Sequence, residues 1–163
     1  MIKIGVDYEK CIDNKSDRTD IYVYGNIEFN GSANIGKGTK IVVLPKGNLK
    51  IGDNFNWTGH SSLRIYRDVF IGNDCLFSWD ILIMDYDGHQ IYNSDGQRIN
   101  DHIPIIIGNK VWIGCRTTIW SGAKIPDGCI IGCNSFIKKN LEEHSSIYIK
   151  DGIISKGQVT WNR

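Results

Sequence analysis

From Ile107 onward an aliphatic residue falls at every sixth position: Ile107, Ile113, Ile119, Ile125, Ile131 and Ile137. Four residues after each of the first five stands a smaller one: Val111, Thr117, Ala123, Cys129 and Ser135. The same grid runs upstream through Ile65, Ile71, Phe77 and Ile83, with Val69, Cys75 and Ile81 at the smaller position. Earlier blocks are Ile51, Phe55 and Trp57, and before them Ile35, Thr39 and Ile41. Two-residue slips separate the blocks, as between Leu63 and Ile65, and read as bulged turns in a continuing coil. A period of six is neither the 3.6 of a helix nor the 2 of a simple strand. It predicts a coil of short flat strands joined by tight turns, with the large residue of each hexad stacked inward on its equivalent one coil away. Neighbouring coils would then pair as parallel strands about 4.8 Å apart. Glycine follows isoleucine at 36, 52, 72, 108, 114 and 132, where turns with unusual backbone angles are expected.

The pattern breaks once for long. Residues 84 to 104, "MDYDGHQIYNSDGQRINDHIP", carry no period. An excursion of this length inside a compact domain is uncommon and usually functional or disordered. The expected organisation is one domain over residues 1–163: an irregular N-terminal cap (1–34) with an edge or capping strand in "TDIYVYGNIEF", coils (35–140) extruding the loop 84–104, and a C-terminal tail (141–163) with a final strand in "SSIYI". Such a solenoid is quasi-one-dimensional and needs capped ends.

Composition narrows the function classes. Of 163 residues, 19 are Lys or Arg and 18 Asp or Glu, a formal net charge of +1. No basic excess points to nucleic acid, no apolar run approaches membrane-spanning length, and "MIKIGVDYEK" lacks the apolar core of a signal peptide. A cytoplasmic protein is expected. The five cysteines (Cys11, Cys75, Cys115, Cys129, Cys133) are odd in number and form no Cys-x-x-Cys, which suits reduced thiols and no metal site.

"IPIIIGNKVWIGCRTTIWSGAKIPDGCIIGCNSFIKKN" closely resembles the hexapeptide-repeat acyltransferases, and within them the group of maltose, galactoside and streptogramin acetyltransferases and bacterial polysaccharide O-acetyltransferases. The resemblance covers about residues 35 to 140. It implies an all-β, left-handed parallel β-helix, a homotrimer with active sites between subunits, and acetyl-CoA as donor to a carbohydrate acceptor. It implies that His89, borne on the interrupting loop, is the general base. Imidazole is suited to take a hydroxyl proton near neutral pH. Asp85 and Asp87 are candidates to orient it, or to hold the loop through backbone amides. Trp112 would wall the pantetheine arm. Cys115, Thr117 and Cys133 would lie beside the cofactor, Lys138 and Lys139 would pair with its phosphates, and His60 would face the acceptor. His102 is the rival base. Trp79 and Trp120 are expected outside the core, lining the acceptor site or, as the favoured reading, at subunit contacts. The tail lacks the family's Gly-Asn-Pro-Ala-Lys segment and keeps only Gly152 and Lys156 as echoes of it. Competing expectations are N-acetylation of an amino sugar or nucleotide sugar, a non-catalytic scaffold, and a zinc hydrolyase on the same coil. The last needs clustered histidines, and the four present are scattered.

Overall fold

The computed structural model describes residues 1–7, 17–150, 152–157 and 159–162. Cys11 lies outside them. The chain is a left-handed parallel β-helix of three sheets, with no helical segment among the described residues. The first coil is β1 (Ile2–Val6), β2 (Asp20–Val23) and β3 (Asn26–Phe29). The second is β4 (Ala33–Gly36), β5 (Lys40–Val43) and β6 (Asn48–Ile51), and the third β7 (Phe55–Gly59), β8 (Ser62–Ile65) and β9 (Asp68–Ile71). The fourth is β10 (Leu76–Trp79), β11 (Leu82–Met84) and β12 (Ile105–Ile107), and the fifth β13 (Trp112–Ile113), β14 (Thr118–Trp120) and β15 (Lys124–Ile125). A partial sixth coil has β16 (Ile130–Ile131) and β17 (Phe136–Ile137). It is followed by β18 (Ile147–Ile149), which pairs antiparallel with β19 (Gly152–Ser155).

Register explains the period. In the first sheet Ile35, Trp57, Phe77, Ile113 and Ile131 stack in turn. In the second Ile41, Leu63, Ile83, Ile119 and Ile137 do so. In the third it is Ile51, Ile71, Ile107 and Ile125. All are buried, and each fully buried side chain of this kind contributes about 1.5–3 kcal/mol. The smaller residues Val111, Thr117, Ala123, Cys129 and Ser135 are buried too, at the corners.

Two expectations are corrected. The N-terminal segment is not an irregular cap: β1, β2 and β3 form a coil in register with the second. And the glycines after isoleucine do not supply left-handed backbone, since none of the six has a positive φ. They permit close approach between coils. A Cβ at Gly72 would come within 2.6 Å of the Gly108 carbonyl carbon. The left-handed corners fall instead on Asn54, Asp74 and Lys110, and on His60, Asp80, Arg116 and Asn134.

One geometric fact positions the site. From the second coil onward, inward residues of the first and second sheets are six apart (Ile35 to Ile41, Trp57 to Leu63, Phe77 to Ile83, Ile113 to Ile119, Ile131 to Ile137). Between the second and third sheets the spacing varies. It is ten from Ile41 to Ile51, eight from Leu63 to Ile71, twenty-four from Ile83 to Ile107 and six from Ile119 to Ile125. From the second coil onward the departures from the hexad therefore collect at one edge of the prism, and the long loop leaves from that edge.

Candidate active site

Where the chain departs from the coil, Asp85 is fully buried. Its two oxygens accept the backbone N–H groups of Tyr66 and Arg67, each at 2.7 Å, at the same edge one coil earlier. Burial pushes its carboxyl above the ordinary carboxylate value, opposed by those amides. Asp85 thus replaces the strand ladder at the point where the ladder ends.

Two residues on, Asp87 turns outward. One oxygen accepts the Trp120 indole N–H at 2.7 Å, and the other the Asn100 amide at 2.9 Å. The Asn100 hydrogen bond holds its carboxyl below the ordinary value, helped by Trp120 and the positive field of Lys138 and opposed by partial burial. Asn100 ties the loop's two limbs together. Its amide also donates to the His89 carbonyl at 2.7 Å, and its own side-chain oxygen accepts the Ile91 N–H at 2.8 Å. Beyond this knot the loop is a small hairpin, with an antiparallel bridge between Tyr92 and Arg98 and a backbone bond from Ile99 to Ile91 at 2.9 Å.

His89 is exposed at the rim of a cavity of about 220 Å³, whose walls include Tyr66, Tyr86, Arg98 and His102. The His102 ring lies 4.2 Å from that of Tyr66, tilted by 36°. The Arg98 guanidinium Nη2 sits 2.8 Å from His102 Nε2. Arginine is always a donor, so Nε2 accepts and the His102 proton lies on Nδ1. Neither Asp85 nor Asp87 hydrogen-bonds the His89 ring. Asp85 holds backbone one coil away, and Asp87 reaches His89 only through Asn100, at the main chain.

The remaining expected residues are dispersed. Cys115 and Cys133 occupy equivalent positions on successive coils with their sulfurs 3.3 Å apart, both free thiols. Burial, then contact with Cys133, pushes the Cys115 thiol upward, which disfavours the thiolate a nucleophile needs. Thr117 does not face outward: the residue is fully buried, its side chain donates to the Gly132 carbonyl at 3.2 Å, and its own carbonyl accepts the Leu82 N–H at 3.0 Å, so it offers a ligand no exposed surface. Trp112 is 37% exposed, and its ring lies 6.1 Å from that of Trp161 in the chain's own tail. Lys138 and Lys139 have different neighbours. Lys138 acts on Asp87, whereas Lys139 borders an open cavity of about 810 Å³ at the C-terminal end of the coil. His60 sits at a different edge, at φ 48°, with Nε2 3.0 Å from Asp17 Oδ2 but not aligned as a hydrogen bond. Within one chain it does not line the His89 cavity.

Sequence reasoning missed Tyr66, Tyr86, Arg98 and Asn100, and it did not anticipate that the Trp120 indole anchors the loop. The one available signal was the slip between Leu63 and Ile65, which marks the edge carrying Tyr66. Among the described residues, no group of three or more His, Cys, Asp or Glu side chains is arranged to hold a metal ion, and no helix is long and apolar enough to cross a membrane.

Comparison with known proteins places the chain among relatives. Residues 104–139 match the model of the bacterial transferase hexapeptide (six repeats). The chain is 24% identical over 132 residues to WbbJ of Escherichia coli K12, named for O-acetyl transfer in lipopolysaccharide biosynthesis; the match covers 76% of this chain and 67% of WbbJ. It is 34% identical over 136 residues to the polysialic acid O-acetyltransferase of Neisseria meningitidis, covering 66% of this chain and 62% of that one. The chain thus spans about two thirds of the length of these relatives. Among solved structures, AntD, an N-acyltransferase from Bacillus cereus solved with dTDP and 3-hydroxybutyryl-CoA, superposes with a TM-score of 0.68 at 17% identity over 88% of this chain and 78% of that one.

Proposed function

We propose that this chain, part of which matches the bacterial transferase hexapeptide model and which is similar to polysaccharide O-acetyltransferases, moves an acetyl group from acetyl-CoA to a hydroxyl of a bacterial surface polysaccharide or its precursor. The observation that carries this reading is the placement of His89. It stands exposed at the rim of a small aromatic-walled cavity, on a loop whose base and limbs are fixed by Asp85, Asp87 and Asn100.

In the proposed reaction the acceptor hydroxyl lies in that cavity. The His89 imidazole takes its proton as the oxygen attacks the thioester carbonyl. The tetrahedral intermediate needs a hydrogen-bond donor for its oxyanion, and a backbone N–H of a neighbouring corner is the group we assign. Collapse breaks the carbon–sulfur bond, and the proton held on His89 passes to the departing thiolate. Direct transfer of this kind requires no enzyme nucleophile, in keeping with the raised Cys115 thiol.

We place the donor beside Trp112 and the Cys115–Cys133 corner, with Thr117 buried beneath it. Lys138 and Lys139 are assigned to its phosphates. The site is completed between copies in a homotrimer, in which His60 contributes to the acceptor side across the contact. Outward apolar residues on the sheet faces, such as Ile106 at 40% and Phe136 at 57% exposure, supply surface for that assembly. The cytoplasm is where acetyl-CoA is available to such an enzyme.

The test is thiol release from acetyl-CoA with purified protein and a panel of oligosaccharides and amino sugars, alongside sedimentation. Acetylation of a hydroxyl by a species of three times the chain mass is expected. Exclusive acetylation of amines would replace the proposal with N-acetyl transfer, the reaction class to which AntD belongs. Failure to bind acetyl-CoA would leave a scaffold.

A further inference from the structure

The cavity beside His89 has an unusual charge balance. Its walls contain an arginine, two histidines, a glutamine and two tyrosines, but no carboxylate. Arg98 is half-buried there. Its guanidinium donates to neutral groups only: the Asn100 carbonyl at 3.1 Å, the Asn100 side-chain oxygen at 3.4 Å and His102 Nε2 at 2.8 Å. Among the described residues no acid pairs with it, although exposed Arg116 finds Asp80 and exposed Lys50 finds Glu28. The two nearest acids of the loop are engaged elsewhere, Asp85 with the Tyr66 and Arg67 amides and Asp87 with Trp120 and Asn100.

A guanidinium is planar and delocalised, and its fork matches a carboxylate or phosphate bidentately. Here it is fixed by three neutral acceptors through Nε and Nη2, which leaves Nη1 without a partner among the described residues. The arrangement also constrains His102. Its Nε2 accepts from Arg98 and its ring stacks on Tyr66, with a buried Nδ1 that has no partner among the described residues. The result is a cation held in place without its counter-charge, in a space about the size of one sugar ring and walled by aromatic faces.

We propose that the acceptor is an anionic saccharide, one residue of which enters this cavity with its carboxylate or phosphate on Arg98 while its hydroxyl meets His89. This rests on the transferase reading above for the hydroxyl, but the anion site stands on the cavity alone. It makes Arg98 a specificity-determining residue and distinguishes this chain's acceptor from neutral maltose-like or galactoside-like sugars.

The experiment measures acceptor binding in the absence of acetyl-CoA, by calorimetry or saturation-transfer NMR. The probes are a short oligomer of N-acetylneuraminic acid, a glucuronate disaccharide and glucose 1-phosphate, each beside its neutral counterpart (carboxyl-reduced sugar or free glucose). Wild-type protein is expected to bind at least one anionic probe about tenfold or more tightly than its neutral counterpart. Preference for the carboxylate or the phosphate probe identifies the source of the charge. Arg98→Gln is expected to abolish the preference while leaving affinity for the neutral counterpart and for acetyl-CoA unchanged. Arg98→Lys, which keeps charge without the fork, should retain only part of it. The Trp120 indole resonance reports whether the loop remains docked in each variant. Equal affinity of wild-type protein for charged and neutral probes, or binding of none of the anionic ones, overturns the proposal, as does a preference that survives Arg98→Gln. If the anion preference stands but acetyl-CoA added afterwards is not consumed with any of the probes, the transferase reading fails and the anion site does not.

Discussion

Ile83 and Asp87 are four residues apart and are held by different means. Ile83 is buried between Leu63 below and Ile119 above, one member of a column repeated coil after coil. Asp87 has no equivalent in any other coil. It is fixed by a single indole from β14 and a single amide from the far limb of its own loop. The column is redundant, since each member contributes a similar increment of apolar burial. The loop is not, since each anchor is used once. On the proposed reading stability and chemistry reside in separate parts of the molecule, and substitutions should sort accordingly.

The largest expected effect on the column is from Phe77→Ala. Phe77 is fully buried, with ring centroids 5.0 Å from Phe55 and 5.5 Å from Trp57. Removing it should cost about 3–5 kcal/mol, read as a lower denaturation midpoint. A cost below about 1 kcal/mol would mean that the stack relaxes freely. Asp85 sits at the boundary between the two regions. Asp85→Ala strands two backbone N–H groups and should cost about 1–3 kcal/mol, with increased hydrogen exchange at Tyr66 and Arg67. Asp87→Ala belongs to the loop. It should leave stability within about 0.5 kcal/mol and lower kcat about tenfold by loosening the geometry around His89, with KM for acetyl-CoA unchanged. Full activity would show that the Asp87–Trp120 anchor is dispensable.

The smallest and sharpest prediction is in titration. The two acids shift in opposite directions, Asp85 up by burial and Asp87 down by the Asn100 and Trp120 hydrogen bonds. On acidification, side-chain carboxyl NMR should show Asp85 protonating before an ordinary carboxyl and Asp87 after it. The signs for stability follow. The Asp87 contribution is present above the ordinary carboxyl value of 3.8 and is lost as pH falls through its lower folded value. Asp85, being raised, contributes most below the ordinary value and loses that contribution as pH rises through its folded value. A common midpoint would contradict the two environments assigned here.

The same contrast explains what could be read from the chain alone. A column requires the same class of residue at the same spacing, so Ile107 through Ile137 declare themselves one coil after another. The loop's contacts join residues with no fixed interval: Asp85 with Tyr66, Asp87 with Trp120, Asn100 with both Asp87 and His89. No period encodes them. His89 was singled out by family resemblance, whereas Arg98 and Asn100 in "QRIN" resemble any polar loop until the hairpin brings them back over Tyr66. The first coil was missed for a related reason. Its outward and terminal positions leave Ile2, Ile4 and Tyr22 substantially exposed, so burial never imposed the hexad there.

The central claim is that the loop exists to present His89 to an acceptor hydroxyl. It is tested most directly by His89→Ala, measured as thiol release from acetyl-CoA with an accepted oligosaccharide. The account predicts a fall of about 10²–10⁴-fold in kcat, with the denaturation midpoint and acetyl-CoA affinity unchanged. A variant that retains activity within about twofold of wild type, folded and binding donor as before, would contradict it.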